Sequence, residues 1–408
     1  MLNLAWKNIF RNRVRSGVIL TAIALGLFAG VYLSAFMSGW VLGSVNSDVE
    51  AHLAHIQVHN PDFLANGDIN AFFERGEVES RIASSSFAPE IKASYRLKIN
   101  GMLASASNAV GISAKCVFPD EERRVSTVWQ QIPDSLGSFL PDDAKMPIVI
   151  SRKTAEKLNV RLKSKIVFTF ADAAGDMQSL AFRVSGIYKT TNTMLDEAEV
   201  FVRYSDIFPA TGLPEGAAHE AAIVLKDLKT CDLFSPQITQ TLNGFDVEDW
   251  KQISPVLDMS KQWVDMMAVI IIGIFLLALS FGIVNTMLMA VLERTRELGM
   301  LRAIGMGKSG IFRLLMLETL LLTGLGSVIG IVAGALLVIP SLKTGIDLTF
   351  LMSDNFEDYG YGSVIYPVLN LKMFVQIAVM VVIAGILSAV YPAQKALNIK
   401  VLDAIRGN

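Results

Sequence analysis

The segment Gly305–Ser309 reads Gly-Met-Gly-Lys-Ser and ends like the phosphate-binding loop of a nucleotide hydrolase. In such a loop, backbone N–H groups hold the phosphates and the lysine reaches the terminal ones. The motif also needs a glycine five residues before its final glycine, and Arg302 occupies that position. The sequence therefore predicts that this chain binds no nucleotide itself.

Three of the four histidines, His52, His55 and His59, fall within eight residues, and this clustering raises the question of a metal site. If the segment is a strand, the side chains of His55 and His59 lie about 13 Å apart, which is too far to share one ion. We therefore interpret the cluster as the exposed edge of a strand.

The two cysteines, Cys116 and Cys231, have neither the spacing of metal ligands nor an activating pattern around them. A disulfide and two buried free thiols both fit this pair. The hydrolase patterns G-x-S-x-G and H-E-x-x-H do not occur in the sequence. Tyr359–Gly362 resembles a potassium filter only superficially and predicts a turn. We assign no catalytic residue, cofactor or metal ligand to this chain.

Charged residues are missing from four long stretches, and the hydrophobic share of 52% exceeds that of ordinary soluble domains. Each stretch is long enough to cross about 30 Å of hydrocarbon, which takes about 20 residues of helix. The predicted fold class is an integral α-helical membrane protein with four transmembrane helices and a large extracytoplasmic mixed α/β domain. The uncharged stretches are residues 16–47, 266–292, 319–342 and 373–394.

The orientation follows from the distribution of Lys and Arg. Residues 1–16, 291–314 and 395–408 together hold twelve basic residues and three acidic ones. Residues 41–262 hold 22 basic and 29 acidic residues. Because cytoplasmic loops retain an excess of Lys and Arg, we expect both termini in the cytoplasm and the long first loop outside it.

The N-terminal segment has an apolar arc that includes Leu2, Trp6 and Ile9, with basic and amide residues opposite. This pattern predicts a helix in the lipid headgroup layer, although a solvated helix packed on a partner also fits.

The predicted order is an interfacial helix (1–16), a first span (17–43), the outer α/β domain (44–262), a second span with an outer stalk (263–292), a cytoplasmic loop (293–310), a third span (311–340), an extracytoplasmic loop (341–371), a fourth span (372–394) and a cytoplasmic tail (395–408).

Within the outer domain, short apolar runs alternate with turn residues, as in a mixed α/β fold of one or two lobes. A strand at 146–150 precedes a short helix that Ser151 caps. Strands at 165–170 and 180–188 form a hairpin around Asp172–Gly175. Residues 62–145 look less regular, and we expect the second lobe there.

The loop after the second span is densely charged but keeps the apolar residues Leu298, Met300, Leu301 and Ile304. It predicts a short amphipathic helix, after which glycines turn the chain back toward the membrane. On composition alone, a docking helix for a cytoplasmic partner and a connector with snorkelling charges fit equally well. The residues assigned to this helix are Glu293, Arg294, Thr295, Arg296, Glu297, Leu298, Gly299, Met300, Leu301, Arg302, Ala303 and Gly305.

Small residues recur every fourth position in the third span, at Gly326, Gly330 and Gly334. Such a stripe allows close helix contact in lipid. A dimer interface, packing on the second span and ordinary packing within one subunit all fit it.

Two polar residues, Asn285 and Glu318, fall within or near the spans. An exposed polar group in lipid is costly, so each is expected to have a partner. For Glu318 we predict a pairing with Arg313 or Arg302 near the interface.

Several segments resemble the FtsX-like, MacB-type family of ABC transporter permeases, which includes the lipoprotein-releasing permeases LolC and LolE. The most specific is the loop NTMLMAVLERTRELGMLRAIGM, and Glu318 falls where the family has an acidic residue. The other matching segments are LAWKNIFRNRVRS at the N-terminus, MPIVISRKTAEKLNV and FRVSGIYKTTNTMLDEAEVFV in the outer domain, and YPAQKALNIKVLDAIR at the C-terminus.

The resemblance implies a permease subunit of the mechanotransmission type, type VII, in the bacterial cytoplasmic membrane. The loop would be the coupling helix that seats in a separate P-loop ATPase, present in two copies that bind ATP and Mg. The other implied partners are a second permease, identical or paralogous, membrane lipids and an exported lipoprotein or other substrate, without nucleic acid. The alternatives are a MacB-like efflux partner, an FtsX-like regulator of cell-wall hydrolases, and a membrane sensor or scaffold without an ATPase.

Overall fold

The computed structural model describes residues 2–11, 13–85, 88–190, 193–226, 228–348, 364–369 and 371–397. The predicted turn at Tyr359–Gly362 and the tail from residue 398 onward lie outside these ranges. The chain forms two compact units, and the boundaries between them fall inside two long helices. We call them the helical unit, the described residues of Met1–Val41, Ser260–Asp347 and Val364–Asn408, and the outer unit, the described residues of Leu42–Met259 and Leu348–Ser363.

The elements are numbered in chain order. The helices are α1 (Leu2–Arg11), α2 (Arg13–Asp48), α3 (Pro61–Asn66), α4 (Arg75–Ala83), α5 (Pro119–Val125), α6 (Arg152–Leu158), α7 (Thr193–Ala198), α8 (Tyr204–Ile207), α9 (Leu228–Thr241), α10 (Trp250–Ile253), α11 (Pro255–Glu293), α12 (Thr295–Ala303), α13 (Lys308–Thr344) and α14 (Leu371–Leu397). The strands are β1 (Ile56–His59), β2 (Phe73–Glu74), β3 (Lys92–Ala104), β4 (Ala109–Val117), β5 (Pro147–Ser151), β6 (Lys165–Ala171), β7 (Met177–Tyr188), β8 (Glu199–Arg203), β9 (Ala217–Ala218), β10 (Glu220–Val224), β11 (Asp246–Asp249), β12 (Ile346–Asp347) and β13 (Val364–Ile365).

Four helices among the described residues, α2, α11, α13 and α14, are long and apolar enough to cross a membrane. Large apolar side chains stay exposed along them; Ile274, Leu277 and Phe281 of α11, for example, are each more than 60% exposed. Exposure on this scale fits contact with lipid rather than water. Together with the α/β outer unit, the four helices confirm the predicted fold class.

The helices extend beyond the predicted spans. The predicted interfacial segment is divided between α1 and α2, because α1 ends at Arg11 and α2 already begins at Arg13. Helix α11 starts with Pro255 at its first position, where a proline costs no hydrogen bond. Its 39 residues make it about 58 Å long. This length exceeds the hydrocarbon thickness, so one part of α11 extends out of the membrane.

A nine-stranded sheet organises the outer unit, in the order β11-β1-β10-β3-β4-β8-β5-β7-β6. Strand β6 also pairs with β3, from Gly101↔Phe170 to Ala104↔Val167. This pairing closes β3, β4, β8, β5, β7 and β6 into a ring. The interior of the ring is the main core of the unit and includes Leu97, Leu103, Ile150, Phe168, Phe182 and Val200.

Several local predictions in the outer unit are confirmed. The Oγ atom of Ser151 accepts a hydrogen bond from the Thr154 N–H and caps α6. Strands β6 and β7 form the predicted hairpin, and Asp172 Oδ1 accepts from the Asp176 N–H at its turn. The cysteines are free and buried, and burial raises the pKa of Cys231 to about 12.

The expected second lobe between residues 62 and 145 is not found as such. This region contains β3 and β4, which pair with each other from Leu97↔Cys116 to Ala104↔Ala109 inside the same sheet. The sequence looks irregular here because the strands carry Lys and Arg on the face opposite the core. Two of those charges, Arg96 and Lys115, are buried under other elements rather than solvated.

The second face of the sheet holds a row of buried ion pairs. Arg96 of β3 bonds to Glu122 of α5 and to Glu220 of β10, each at 2.6 Å. On β4, Lys115 lies 2.6 Å from Glu199. Burial raises the pKa of Glu199, but Lys115 and His52 outweigh burial and lower that pKa to about 2. Each buried charge thus has a partner of opposite sign, as the cost of burial requires.

The predicted exposed histidine edge is wrong, because His52, His55 and His59 are each at most 4% exposed. His52 lies in a π-helical turn after α2, and its ring nitrogens lie 3.2 Å from Glu199 Oε2 and 3.1 Å from Thr190 Oγ1. Strand β1 has a neighbour on each side, so it has no free edge. In the described residues, no group of three or more metal-ligating side chains converges.

Candidate functional site

The short helix α12 lies between the second and third of the four long helices. It starts after Arg294, whose backbone leaves the helical range at φ −106° and ψ 19°. It ends where Gly305 takes a φ of 104°, a conformation that side chains with a Cβ rarely adopt. The next helix, α13, begins at Lys308, so four residues join it to the end of α12 at Ala303. The loop sequence thus builds one helical segment with a sharp turn behind it.

Helix α12 has two distinct faces. Leu298 and Gly299 are buried against the helical unit, and Leu298 belongs to its main apolar cluster. On the opposite side, Met300 is 47% exposed and Ile304, just after the helix, is 85% exposed. Arg296 is exposed on the same side. We call Arg296, Met300 and Ile304 the outward face; the four-residue spacing aligns them along the helix.

A polar cluster fixes the inward side of α12 to two other helices. Arg294 donates from Nε to Glu297 Oε2 at 3.0 Å, and Arg11 of α1 pairs with the other oxygen of Glu297. Asn8 Nδ2 donates to Glu318 Oε1 of α13 at 2.6 Å. One terminal nitrogen of Arg294 lies 3.4 Å from both oxygens of Glu318. These five side chains tie α1, α12 and α13 together.

The predicted partners of Glu318 are therefore wrong: Asn8 and Arg294 take the place of Arg313 and Arg302. Arg313 is exposed and lies five residues before Glu318, about 140° away around the helix. Arg302 donates to the carbonyl of Leu397 at 3.5 Å. The acid lies on the buried side of α13, with 7% exposure, where Asn8 and Arg294 contact it from other parts of the chain.

The electrostatics of the cluster favour its charged form. The hydrogen bond from Arg11 lowers the pKa of Glu297, while partial burial opposes this effect and Arg294 adds to it. The same contact raises the pKa of Arg11. The cluster borders a cavity of about 310 Å³ that is lined by both polar and apolar residues. Asn8 and Arg11 were not among the predicted site residues, although both lie on the polar arc of the N-terminal helix.

The glycine stripe of α13 packs on the first span. A Cβ at Gly326 would lie 2.6 Å from Ile23, and one at Gly330 would lie 2.7 Å from the carbonyl oxygen of Ala24. Gly334 meets Val31 in the same way. Of the three interpretations left open, packing within one subunit is the one observed, and the neighbour is α2 rather than α11.

Asn285 has a different environment from Glu318. It is exposed on α11, between Phe281 and Met289, which are 65% and 56% exposed. The described residues of this chain give its side chain no hydrogen-bond partner. A polar side chain on an apolar helix surface is expensive in lipid unless another molecule satisfies it.

Comparison with known proteins identifies similar chains. Residues 269–401 match the family model described as FtsX-like permease C-terminal. The lipoprotein-releasing system transmembrane protein LolC of Xylella fastidiosa (strain 9a5c) is 21% identical over 299 residues, 71% of this chain and 71% of LolC. The macrolide export ATP-binding/permease protein MacB of Rhodopirellula baltica is 27% identical over 199 residues, 46% of this chain and 26% of MacB. A crystal structure of the periplasmic region of MacB from Actinobacillus actinomycetemcomitans aligns with 53% of this chain and 98% of that one, with a TM-score of 0.34 and 11% identity.

Proposed function

Because the chain carries an FtsX-like permease C-terminal region and is a relative of the LolC and MacB permeases of ABC transporters, we propose that it is a mechanotransmission subunit. In this proposal a separate cytoplasmic ATPase, present in two copies, binds ATP and Mg and hydrolyses the nucleotide. The movement of the ATPase is transmitted to the permease at α12, and α11 transmits it across the membrane to the outer unit. The permease itself performs no chemical step.

The observation that carries the proposal is the division of α12 into an anchored face and an outward face. A helix that recognises a groove on a partner presents apolar anchors one turn apart. Met300 and Ile304 have this spacing and are exposed, and Arg296 adds a positive charge beside them. The ion pairs of Arg294 and Glu297 hold the other face, so a push on α12 would move α1 and α13 with it.

Substituting the outward face tests the proposal. We expect the variant with Met300→Asp and Ile304→Asp to lose at least 90% of the P-loop ATPase that copurifies with the full chain, because two charges would enter an apolar groove. Met177→Asp is a matched control, since Met177 is 68% exposed on the outer unit. Equal recovery of an ATPase with both variants, or of none with the unchanged chain, would contradict the proposal.

The substrate we propose is a lipoprotein that leaves the bacterial cytoplasmic membrane. The LolC relative supports this choice, since it aligns over 71% of both chains. MacB supports efflux as the second candidate over a shorter alignment. The same variants separate the two: release of acylated proteins from spheroplasts falls with Met300→Asp and Ile304→Asp if lipoproteins are the cargo. If the variant leaves the release of acylated proteins unchanged but makes the cells more sensitive to drugs, the result favours efflux.

The orientation in this proposal has both termini and α12 in the cytoplasm. Its support is the distribution of charge, with twelve basic and three acidic residues beside the spans and an excess of acidic residues in 41–262.

A further inference from the structure

A cleft in the outer unit is lined by basic side chains from three separate places in the chain. Lys92 begins β3, Arg123 and Arg124 lie in the last turn of α5, and Lys226 follows β10. The cleft has a volume of about 520 Å³. Small-molecule sites occupy about 300–1,000 Å³, so the cleft could hold a ligand of that class.

The charge of the cleft is opposite to that of the segment that contains it. Residues 41–262 carry seven more acidic than basic residues, yet among the described residues that line the cleft four are basic and one, Glu50, is acidic. Lys92, Arg124 and Lys226 make no ion pair or side-chain hydrogen bond with any residue that the structure describes. These three exposed positive charges border one cleft and favour the binding of an anion there.

Arg123 has a different role from the other three cations. It is held by Asp120 at 3.3 Å and by the carbonyl oxygen of Phe139 at 3.1 Å. Those contacts orient one guanidinium at the cleft, while the remaining cations keep their hydrogen-bond donors available. An oriented guanidinium beside two exposed ammonium groups suits a compact anion with several oxygens.

One wall of the cleft is apolar. Val125, Val224 and Leu225 line it next to the cations. A free inorganic ion would leave this wall uncovered, whereas a phosphate attached to a small organic group would contact both surfaces. The polar residues Thr127 and Gln130 border the same space and can bond to hydroxyl groups.

We propose that this cleft binds the phosphate group of a phosphorylated ligand, carried either by a lipid headgroup or by a soluble phosphate ester. Arg124, Lys226 and Lys92 would supply the charge, with Arg123 as the oriented donor. The site is separate from α12, so the proposal does not depend on the ATPase partner.

The test uses the full chain purified in a maltoside detergent, which contains no phosphate. Binding of glycerol 3-phosphate is measured by calorimetry, and binding of phosphatidylglycerol is measured against phosphatidylcholine in mixed micelles. The cleft variant carries Arg124→Glu and Lys226→Glu. The control variant carries Arg161→Glu and Lys165→Glu, which reverse two exposed charges elsewhere in the outer unit.

We expect the cleft variant to bind at least tenfold more weakly than the unchanged chain, and the control variant to bind equally well. Binding of both compounds identifies a phosphate ester site, and binding of phosphatidylglycerol alone identifies a lipid headgroup site.

Protection of the buried thiols of Cys116 and Cys231 checks that each variant is folded. A second variant, Arg124→Gln with Lys226→Gln, replaces the first if it unfolds. The proposal is overturned if neither phosphate compound binds, or if the cleft and control variants bind equally well. It is also overturned if only an acidic peptide binds.

Discussion

At the scale of single residues, the outer unit buries charges and histidines that the sequence suggested would be solvated. His219, the histidine outside the cluster, is held in one orientation by hydrogen bonds at both ring nitrogens. Its Nδ1 accepts from the Lys98 N–H at 3.1 Å, and its Nε2 donates to the Ile69 carbonyl at 2.8 Å. Only the neutral ring can make both bonds at once. Phe63 stacks on the ring with 4.6 Å between centroids.

His219 makes the outer unit sensitive to acid. Burial lowers its pKa, and the nearby His59 and Lys98 lower it further. In the unfolded chain the histidine side chain has a pKa of about 6.5, so below this pH it binds a proton there but stays neutral in the folded chain. We therefore expect the free energy of unfolding to fall as the pH drops below about 6.5, because the unfolded chain then gains a proton at this residue.

The variant His219→Gln tests this prediction, since an amide supplies one acceptor and one donor without titrating. Thermal unfolding of the full chain between pH 7 and 5 is followed by labelling of Cys116 and Cys231 with a pyridyl disulfide, which reacts in acid. Both cysteines belong to the outer unit and are buried, so labelling reports on that unit. We expect a shallower pH dependence in the variant; identical slopes would contradict the role of His219, whereas a residual slope is expected from His59.

At the scale of elements, the close contact between α13 and α2 depends on glycine. The stripe leaves no room for side chains, because a Cβ at Gly330 would lie 2.7 Å from a backbone oxygen and 2.8 Å from Leu27 Cβ. Backbone atoms cannot yield as the end of a flexible side chain can. The stripe therefore holds the first and third spans of one chain together.

Gly330→Leu is expected to separate these two helices and to reduce the amount of folded protein in the membrane at least fivefold. Gly324→Leu is the matched control on the same helix, since a Cβ there meets nothing within 4 Å. The measurement is the monodisperse fraction of each variant in detergent, by size-exclusion chromatography. Equal recovery of the two variants would show that the contact does not determine folding.

At the scale of the whole molecule, the exposed Asn285 points to a neighbouring protein in the membrane. Contact with a second permease, the same chain or a paralogue, would satisfy the amide and remove it from lipid. The glycine stripe cannot supply that interface, because α2 already covers it. The surface of α11 around Asn285 is our candidate for it.

Cross-linking in membranes tests this pairing. We expect Asn285→Cys to form an intermolecular disulfide on oxidation, as a species of about twice the mass of the chain or joined to a paralogue. Leu387→Cys on α14 is the control, since it is 68% exposed and lies, like Asn285, eight residues before a charged residue at the helix end. The unchanged chain controls for the two buried cysteines. Equal cross-linking at both positions would mean random collision.

Much of this protein follows from the sequence alone. The uncharged stretches predict four membrane helices, and the basic and acidic counts predict their orientation. The charged loop around Glu297 predicts a helix between two spans. The strands from Pro147 to Arg203 can be predicted because short apolar runs alternate with turn residues there. These features depend on hydrophobicity, charge and local periodicity, which are properties of neighbouring residues.

Only the tertiary structure decided which surfaces meet. In the structure Glu318 contacts Asn8 and Arg294, and the glycine stripe of α13 packs on α2. The pairing of β3 with β6 closes the ring, and His52, His55 and His59 are buried. Each of these contacts links residues far apart in the chain, and many partners satisfy the same local pattern. The free energy of such a contact depends on shape and on the groups left unsatisfied elsewhere, and those quantities exist only in the folded chain.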